Sequence, residues 1–237
     1  YVSGAGQALR LYAERFVLPA HEKKKNAVNI LGATPLDFSA NGQVQSIARR
    51  LTEGGFSVQS VWAMGSETAA IDRAGEAEVN LVVSSVGLPV AKFLRERFGT
   101  PYVVGAPLGD TVSALLLGAL QKSIHTGENE ILPAGMPDTP DTVILGESVT
   151  SRSLAAALLL DYGICAEVIC PVELPRELEG SFCRQIEDEQ DLQAALSGAR
   201  RVIADPLFAP IVPQGAQFFP LPHEAYSGRI YRKQIPN

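Results

Sequence analysis

The chain of 237 residues has few of the side chains that most often carry chemistry: three cysteines, three histidines, two methionines and one tryptophan. Cys165, Cys170 and Cys183 are odd in number and too sparse for a disulfide framework, so a reducing cytoplasm is the expected setting. Cys165 and Cys170 fall on one expected strand at an odd spacing, which points them to opposite faces and prevents them from ligating one metal together. Cys183, beside Arg184, is read as structural. Positive charge is also short. Lys and Arg number 20 against 26 Asp and Glu, a net charge of −6 and the wrong sign for a broad nucleic-acid-binding face. The one basic triplet, Lys23 to Lys25, reads as a solvated connection. No uncharged run approaches the roughly 18 residues needed to cross a bilayer, so neither nucleic acid nor membrane is expected as a partner. No initiator methionine and no charged-then-apolar leader stands at Tyr1, so sequence is expected upstream of it.

Nucleotide fingerprints are missing too. No Gly-x-Gly-x-x-Gly lies between an expected strand and helix, and no phosphate loop carries its lysine and hydroxyl. Gly4-Ala5-Gly6 follows no strand, and Gly146-Glu147-Ser148 follows one with a single glycine.

What the chain does have is 46% hydrophobic residues arranged in short β-rich runs that alternate with segments of helical period. That alternation builds a parallel sheet covered by helices, an α/β fold. The pattern predicts strands over residues 28–31, 57–62, 79–83, 102–104, 142–145, 166–169, 201–204 and 217–219. Helices are expected over 7–17, 43–53, 68–74, 89–98, 111–125, 151–162 and 189–196, with Asp110 as an N-cap and Gly99 and Gly163 as stops. Residues 126–140 hold two glycines and three prolines, which break both periods and suit a linker. The expected organisation is therefore a first domain over 1–125, a linker over 126–140 and a smaller second domain over 141–237 that repeats the first in miniature.

In open α/β sheets ligands settle beyond the carboxyl ends of the strands. The loops there are small and rich in hydroxyls: Gly32 to Ser39, Met64 to Thr68 and Ser84 to Gly87. His21 and His125 lie near element ends, where a solvated or helix-end role is expected. His223 differs, because its loop follows the last expected strand and lies at the ligand edge.

Taken in order, Val28-Asn29-Ile30-Leu31-Gly32, Gly65-Ser66-Glu67-Thr68, Ala77-Glu78-Val79-Asn80-Leu81-Val82 and Phe98-Gly99-Thr100-Pro101-Tyr102 resemble the nitrogenase component 1 family. Phe219-Pro220, His223 and Tyr226-Ser227-Gly228 extend the resemblance almost to the end. The family includes nitrogenase catalytic subunits, cofactor-assembly scaffolds and light-independent protochlorophyllide and chlorophyllide reductases. The resemblance implies two Rossmann-like α/β domains around a cofactor cleft, and makes this chain a carboxy-terminal portion. The cysteines for a shared iron–sulfur cluster would then lie upstream of Tyr1, and this portion alone would be inactive.

Two positions compare directly with the nitrogenase catalytic subunit. Ser84 stands where that subunit has a cluster-binding cysteine, and a neutral hydroxyl is a poor iron ligand, so dinitrogen fixation is not expected. His223 falls close to the family histidine, as ligand or proton donor. His223, Ser84, Gly65 and Ser66 are the candidate cofactor- or substrate-binding residues; no catalytic and no metal-ligating residue is assigned. The implied function is an oxidoreductase component that takes electrons from an ATP-dependent iron–sulfur reductase and reduces a substrate or cofactor in the cleft, a metallocofactor or tetrapyrrole being candidates. A homologous subunit is the second expected partner. The alternative is a non-catalytic scaffold for a metallocofactor or metal chelate.

Overall fold

The computed structural model describes residues 1–132 and 139–236. Helix α1 (Val2–Phe16) precedes β1 (Lys24–Leu31), α2 (Gln43–Glu53), β2 (Ser57–Val61), α3 (Thr68–Asp72), β3 (Ala77–Val82), α4 (Leu88–Phe98), β4 (Tyr102–Val104), α5 (Asp110–Thr126) and β5 (Glu130–Ile131). These strands form one parallel sheet in the order β2-β1-β3-β4-β5. Next come β6 (Thr142–Leu145), α6 (Ser148–Tyr162), β7 (Ala166–Cys170), β8 (Cys183–Gln185), α7 (Glu189–Leu196), β9 (Arg201–Ala204), β10 (Gln217–Pro220) and α8 (Gly228–Tyr231). They build a second parallel sheet, β10-β9-β6-β7-β8.

The β-branched alternation of β1 explains the first sheet's two covers. Val28 and Ile30 face α2 and α5, packing with Ile47, Leu51, Leu116 and Leu120. Leu31 faces the other way, with Val82, Trp62 and the α1 and α4 residues Ala13, Val90 and Leu94. Helix α1 approaches closely because residue 6 is glycine: a Cβ there would fall 2.9 Å from Pro89 Cγ. Beneath Trp62 runs a buried polar chain. The indole donates to Ser60 Oγ (3.0 Å), Ser60 to Asn29 Oδ1 (2.7 Å) and Asn29 Nδ2 to Asn80 Oδ1 (2.8 Å), so these groups find partners away from water.

In the second sheet Val143, Leu145 and Val202 pack under α7, and Ile144, Val168, Cys170 and Cys183 under α6. Helix α6 belongs to both halves, since Ala156 and Ala157 also pack on Val112 of α5.

Two strands were not visible as patterns. Glu130–Ile131 adds the fifth strand of the first sheet from within the segment expected as a linker, of which residues 133–138 lie outside the described residues. Cys183–Gln185 forms the edge of the second sheet. The lysine triplet is exposed, as expected, but only Lys23 lies in a connection: Lys24 opens β1 and pairs with Glu76 at 2.5 Å, while Lys23 donates to Gly75 O and Thr100 Oγ1. Asp110 is the first residue of α5 and not its cap, a place taken by Gly109 at φ 69°.

Candidate functional site

Strand order changes direction at one place in each sheet, between β1 and β3 in the first and between β6 and β9 in the second. Such switch points leave a crevice at the carboxyl ends of the strands. The two crevices face each other. After β1 the chain turns through Gly32 at φ 89° to Asp37, and after β3 it enters Ser84 and Ser85. Gly87 must lack a side chain, because a Cβ would stand 2.6 Å from Leu31 O. Glu147 follows β6 and Asp205 follows β9, each only 1% exposed.

Glu147 joins the halves. Its carboxylate accepts from the Ser85 amide (2.9 Å), Ser148 Oγ (3.1 Å), and the Thr150 amide and hydroxyl (2.9 and 3.0 Å). It thereby caps α6 and ties it to the β3 loop. The Ala106 amide adds a second tie by donating to Ser153 Oγ at 2.9 Å.

Asp37 is the central titratable group. Tyr1 donates its hydroxyl to Oδ1 (2.8 Å), Thr34 Oγ1 donates to Oδ2 (3.2 Å), and His223 Nε2 lies 3.8 Å from Oδ1. Burial, reinforced by the Glu147 charge, pushes the Asp37 carboxyl up to about 7 against the pull of the Tyr1, Ser84 and Thr34 hydroxyls. Burial lowers His223, against Glu147, Asp205 and Glu224. It also raises Tyr1 and Tyr226. A carboxyl that stays protonated toward neutrality thus lies beside an imidazole that stays neutral. His223 Nε2, the Tyr226 hydroxyl and Ser85 Oγ are buried without a hydrogen-bond partner among the described residues.

Asp37 and His223 line a cleft of about 610 Å³. Its walls are apolar at Phe38, Ile47, Leu154 and Leu221, and Arg49 and Glu53 stand on its α2 side. A smaller cavity of about 410 Å³ lies against α1 and α4, and there Arg10 and Lys92 already pair with Glu14 and Glu177.

Of the four sequence candidates, the structure brings His223 and Ser84 to the junction. Ser84 is fully buried, with its hydroxyl within reach of both Gly32 O, at 2.8 Å, and the Asp37 carboxyl. Gly65 and Ser66 lie elsewhere on the same sheet edge, in the turn after β2. There Gly65 takes φ 110° and Ser66 Oγ accepts from the Val61 amide at 2.7 Å. Sequence reasoning passed over Asp37, Glu147 and Asp205. A carboxylate one to six residues beyond a switch-point strand was the available signal, but it needs the strand order to be read.

An iron–sulfur cluster does not fit the cysteines present. Cys170 and Cys183 are fully buried with sulfurs 3.9 Å apart, two thiols where such clusters take four ligands. Among the described residues no group of three or more His, Cys, Asp or Glu is arranged to hold a metal ion. No helix among them is long and apolar enough to cross a membrane.

Comparison with known proteins agrees with this architecture. Residues 1–146 match the family model described as nitrogenase component 1 type oxidoreductase. A light-independent protochlorophyllide reductase subunit of Nostoc punctiforme is 31% identical over 108 residues, 45% of this chain and 21% of that protein. Its counterpart in Chlorobium luteolum is 31% identical over 133 residues, 55% of this chain and 25% of that one. These matches therefore span a quarter or less of the curated relatives. A solved structure of nitrogenase Cp1 superposes with a TM-score of 0.62 at 13% identity, covering 95% of this chain and 57% of its own, and so shares the fold. With more than half of its length matched by the family model, and a fold of two parallel α/β sheets that meet at their carboxyl ends, the chain belongs to the nitrogenase component 1 type oxidoreductases.

Proposed function

We propose that this chain is a portion of an oxidoreductase subunit that reduces a ligand held between its two sheets, and that Asp37 supplies the accompanying proton. The observation that carries the reading is Asp37 itself: a buried carboxyl with a midpoint near 7, at the meeting of two switch points and lining a 610 Å³ cleft. A proton donor works best when its midpoint lies near the working pH. Glu147 holds the two crevices in register, and Ser84 shapes the turn that presents Asp37. Gly65 and Ser66 would meet a ligand that extends along the sheet edge toward β2. The first sheet, β1 to β5, and the second, β6 to β10, form the two walls.

In this reading electrons come from an ATP-dependent iron–sulfur reductase, by way of an iron–sulfur cluster whose ligands lie outside this chain. A homologous subunit completes the complex, and the compartment is the cytoplasm. The neutral hydroxyl of Ser84 makes dinitrogen an unsuitable substrate. A tetrapyrrole or a metallocofactor fits the apolar walls better, and the protochlorophyllide reductase relatives support the former.

The deciding experiment uses the natural-length protein purified without oxygen. Stoichiometric iron and acid-labile sulfide, with ATP-dependent reduction by an iron–sulfur reductase, is the expected result. A protein with neither iron nor sulfide that still retains a metallocofactor or metal chelate would be a scaffold, and the electron-transfer reading would fall.

A further inference from the structure

A neutral imidazole has one proton to place, and the nitrogen that carries it fixes what the ring can do. In His223 the choice is made by the backbone. The Ala225 amide donates to Nδ1 at 3.2 Å, so Nδ1 offers its lone pair and the proton sits on Nε2. Nε2 is buried, lacks a partner among the described residues, and faces Asp37 Oδ1 at 3.8 Å. A metal-ligating histidine has the opposite polarity at its second nitrogen, which donates an N–H to a carboxylate, a carbonyl or water. Here that nitrogen receives an N–H, and no lone pair is left for a metal.

The segment that carries the ring is fixed as firmly. Asp205 accepts from the His223 amide (2.7 Å), the Leu207 amide (2.8 Å) and Ser227 Oγ (2.7 Å). The His223 carbonyl accepts from the amides of Tyr226, Ser227 and Gly228. The Tyr226 ring packs on the imidazole with centroids 5.0 Å apart. Such a ring cannot flip its nitrogens without breaking the Ala225 bond.

We propose that His223 is a fixed Nε2–H donor to the Asp37 carboxylate and not a metal ligand, and that Asp205 is the positioning residue that holds it there. The assignment rests on Asp37 as the proton donor of the cleft. When Asp37 yields its proton, the O–H bond breaks with both electrons left on the carboxylate, and the proton goes to the reduced ligand. The His223 N–H closes from 3.8 Å to stabilise the new charge, and the imidazole neither gains nor loses a proton. The other groups facing Asp37 are the hydroxyls of Tyr1, Thr34 and Ser84 and the carboxylate of Glu147; those facing His223 are Glu147, Asp205, Glu224 and Tyr226.

The test begins on the ligand-free natural-length protein labelled with 15N-histidine, the His223 signals being assigned by their loss in His223→Gln. A pyridine-type Nδ1 and a pyrrole-type Nε2 are expected, and the reverse overturns the assignment. Because no ligand or electron donor is present, this outcome is independent of whether the cleft performs reduction. That reading fails separately, if Asp37→Asn leaves proton delivery intact.

Carboxyl 13C titration of Asp37 is the second measurement. His223→Leu should raise its midpoint by about one pH unit, while His223→Gln, whose side-chain amide can still donate, should stay close to the parent. Asp205→Ala should move it the same way as His223→Leu, with partial recovery in Asp205→Asn. Identical midpoints in the parent and His223→Leu would overturn the donor role, and an Asp37 midpoint unmoved in Asp205→Ala would overturn the positioning role. Cobalt(II) serves as the metal probe: its absorption should be the same in parent and His223→Gln, and a band lost in the variant would make His223 a ligand after all.

Discussion

The two sheets each have five parallel strands, yet their chains run through them differently. The first has the order β2-β1-β3-β4-β5, with its first strand one place from the edge. The second, β10-β9-β6-β7-β8, places its own first strand, β6, at the centre. Both orders create a switch point, and at each the residues after two neighbouring strands converge. What they deliver there differs. The first sheet brings its groups directly off strand ends, through turns so tight that Gly32 and Gly87 have no room for a Cβ. The second brings Glu147 directly but His223 by a detour, from a loop beyond the edge strand β10 that is pinned back by Asp205. A shared architecture thus specifies where a site forms, and the connection specifies how firmly each group is held.

Glu147 is where that comparison breaks most sharply. Glu147→Ala leaves the buried Ser85 amide and the Thr150 amide without acceptors, one in each half. A loss on the order of 3 kcal/mol in urea unfolding is expected, larger than for any other single change considered. If the two halves were joined mainly by the apolar contacts of α6, the loss would be under about 1 kcal/mol.

Asp37→Asn acts from the first sheet and in the opposite direction. Because the folded carboxyl holds its proton up to about 7, against an ordinary value of 3.8, the folded state binds more protons than the unfolded one between those values. Its contribution to stability is fully present in acid and is lost as pH rises through 7. The amide carries no such pH-dependent penalty, so the variant should gain on the order of 4 kcal/mol over the parent at pH 8 relative to pH 4. Thermal melts at the two pH values measure it. His223 adds a trend of opposite sign: its lowered midpoint withholds a proton that the unfolded chain takes up below about 6.5, so acid destabilises through it.

The second sheet is sharpened by its thiols. Cys170 and Cys183 are fully buried in the layer under α6, whereas Cys165 is partly exposed. A thiol reagent should therefore label Cys165 first and reach the other two only on unfolding. Cys183→Ser should cost about 1 kcal/mol by placing a hydroxyl in an apolar layer.

Most of this fold was legible in the sequence, for one physical reason. Buried parallel strands read as short β-branched runs, and the helices between them keep a 3.6 period, so eight of the ten strands stood out. The two that did not are two and three residues long. Glu130–Ile131 sits in a proline-rich stretch and Cys183–Gln185 is mostly polar, because each is an edge strand with one side facing solvent. Missing β8 also hid the proximity of Cys170 to Cys183, since the thiols meet across two strands and not along one. The site was half legible. His223 and Ser84 could be placed by strand ends alone, but Asp37, Glu147 and Asp205 matter only through which strand neighbours which. Sequence does not print the order β10-β9-β6.

The smallest expected effect concerns Ser66. Its hydroxyl oxygen accepts the Val61 amide and so finishes the end of β2, an edge strand of the first sheet. Ser66→Ala removes that acceptor where water can partly replace it, so about 1 kcal/mol of stability should be lost. Ligand affinity measured in the same variant separates two uses of one turn. If the ligand reaches the β2 end, affinity should fall by more than the destabilisation explains, because the Ser66 hydroxyl would contribute in both states. An unchanged affinity would confine the ligand to the region between the β1–β3 and β6–β9 switch points. Asp37 and His223 would then be its inner limit, and the Gly65–Ser66 turn would serve the sheet alone.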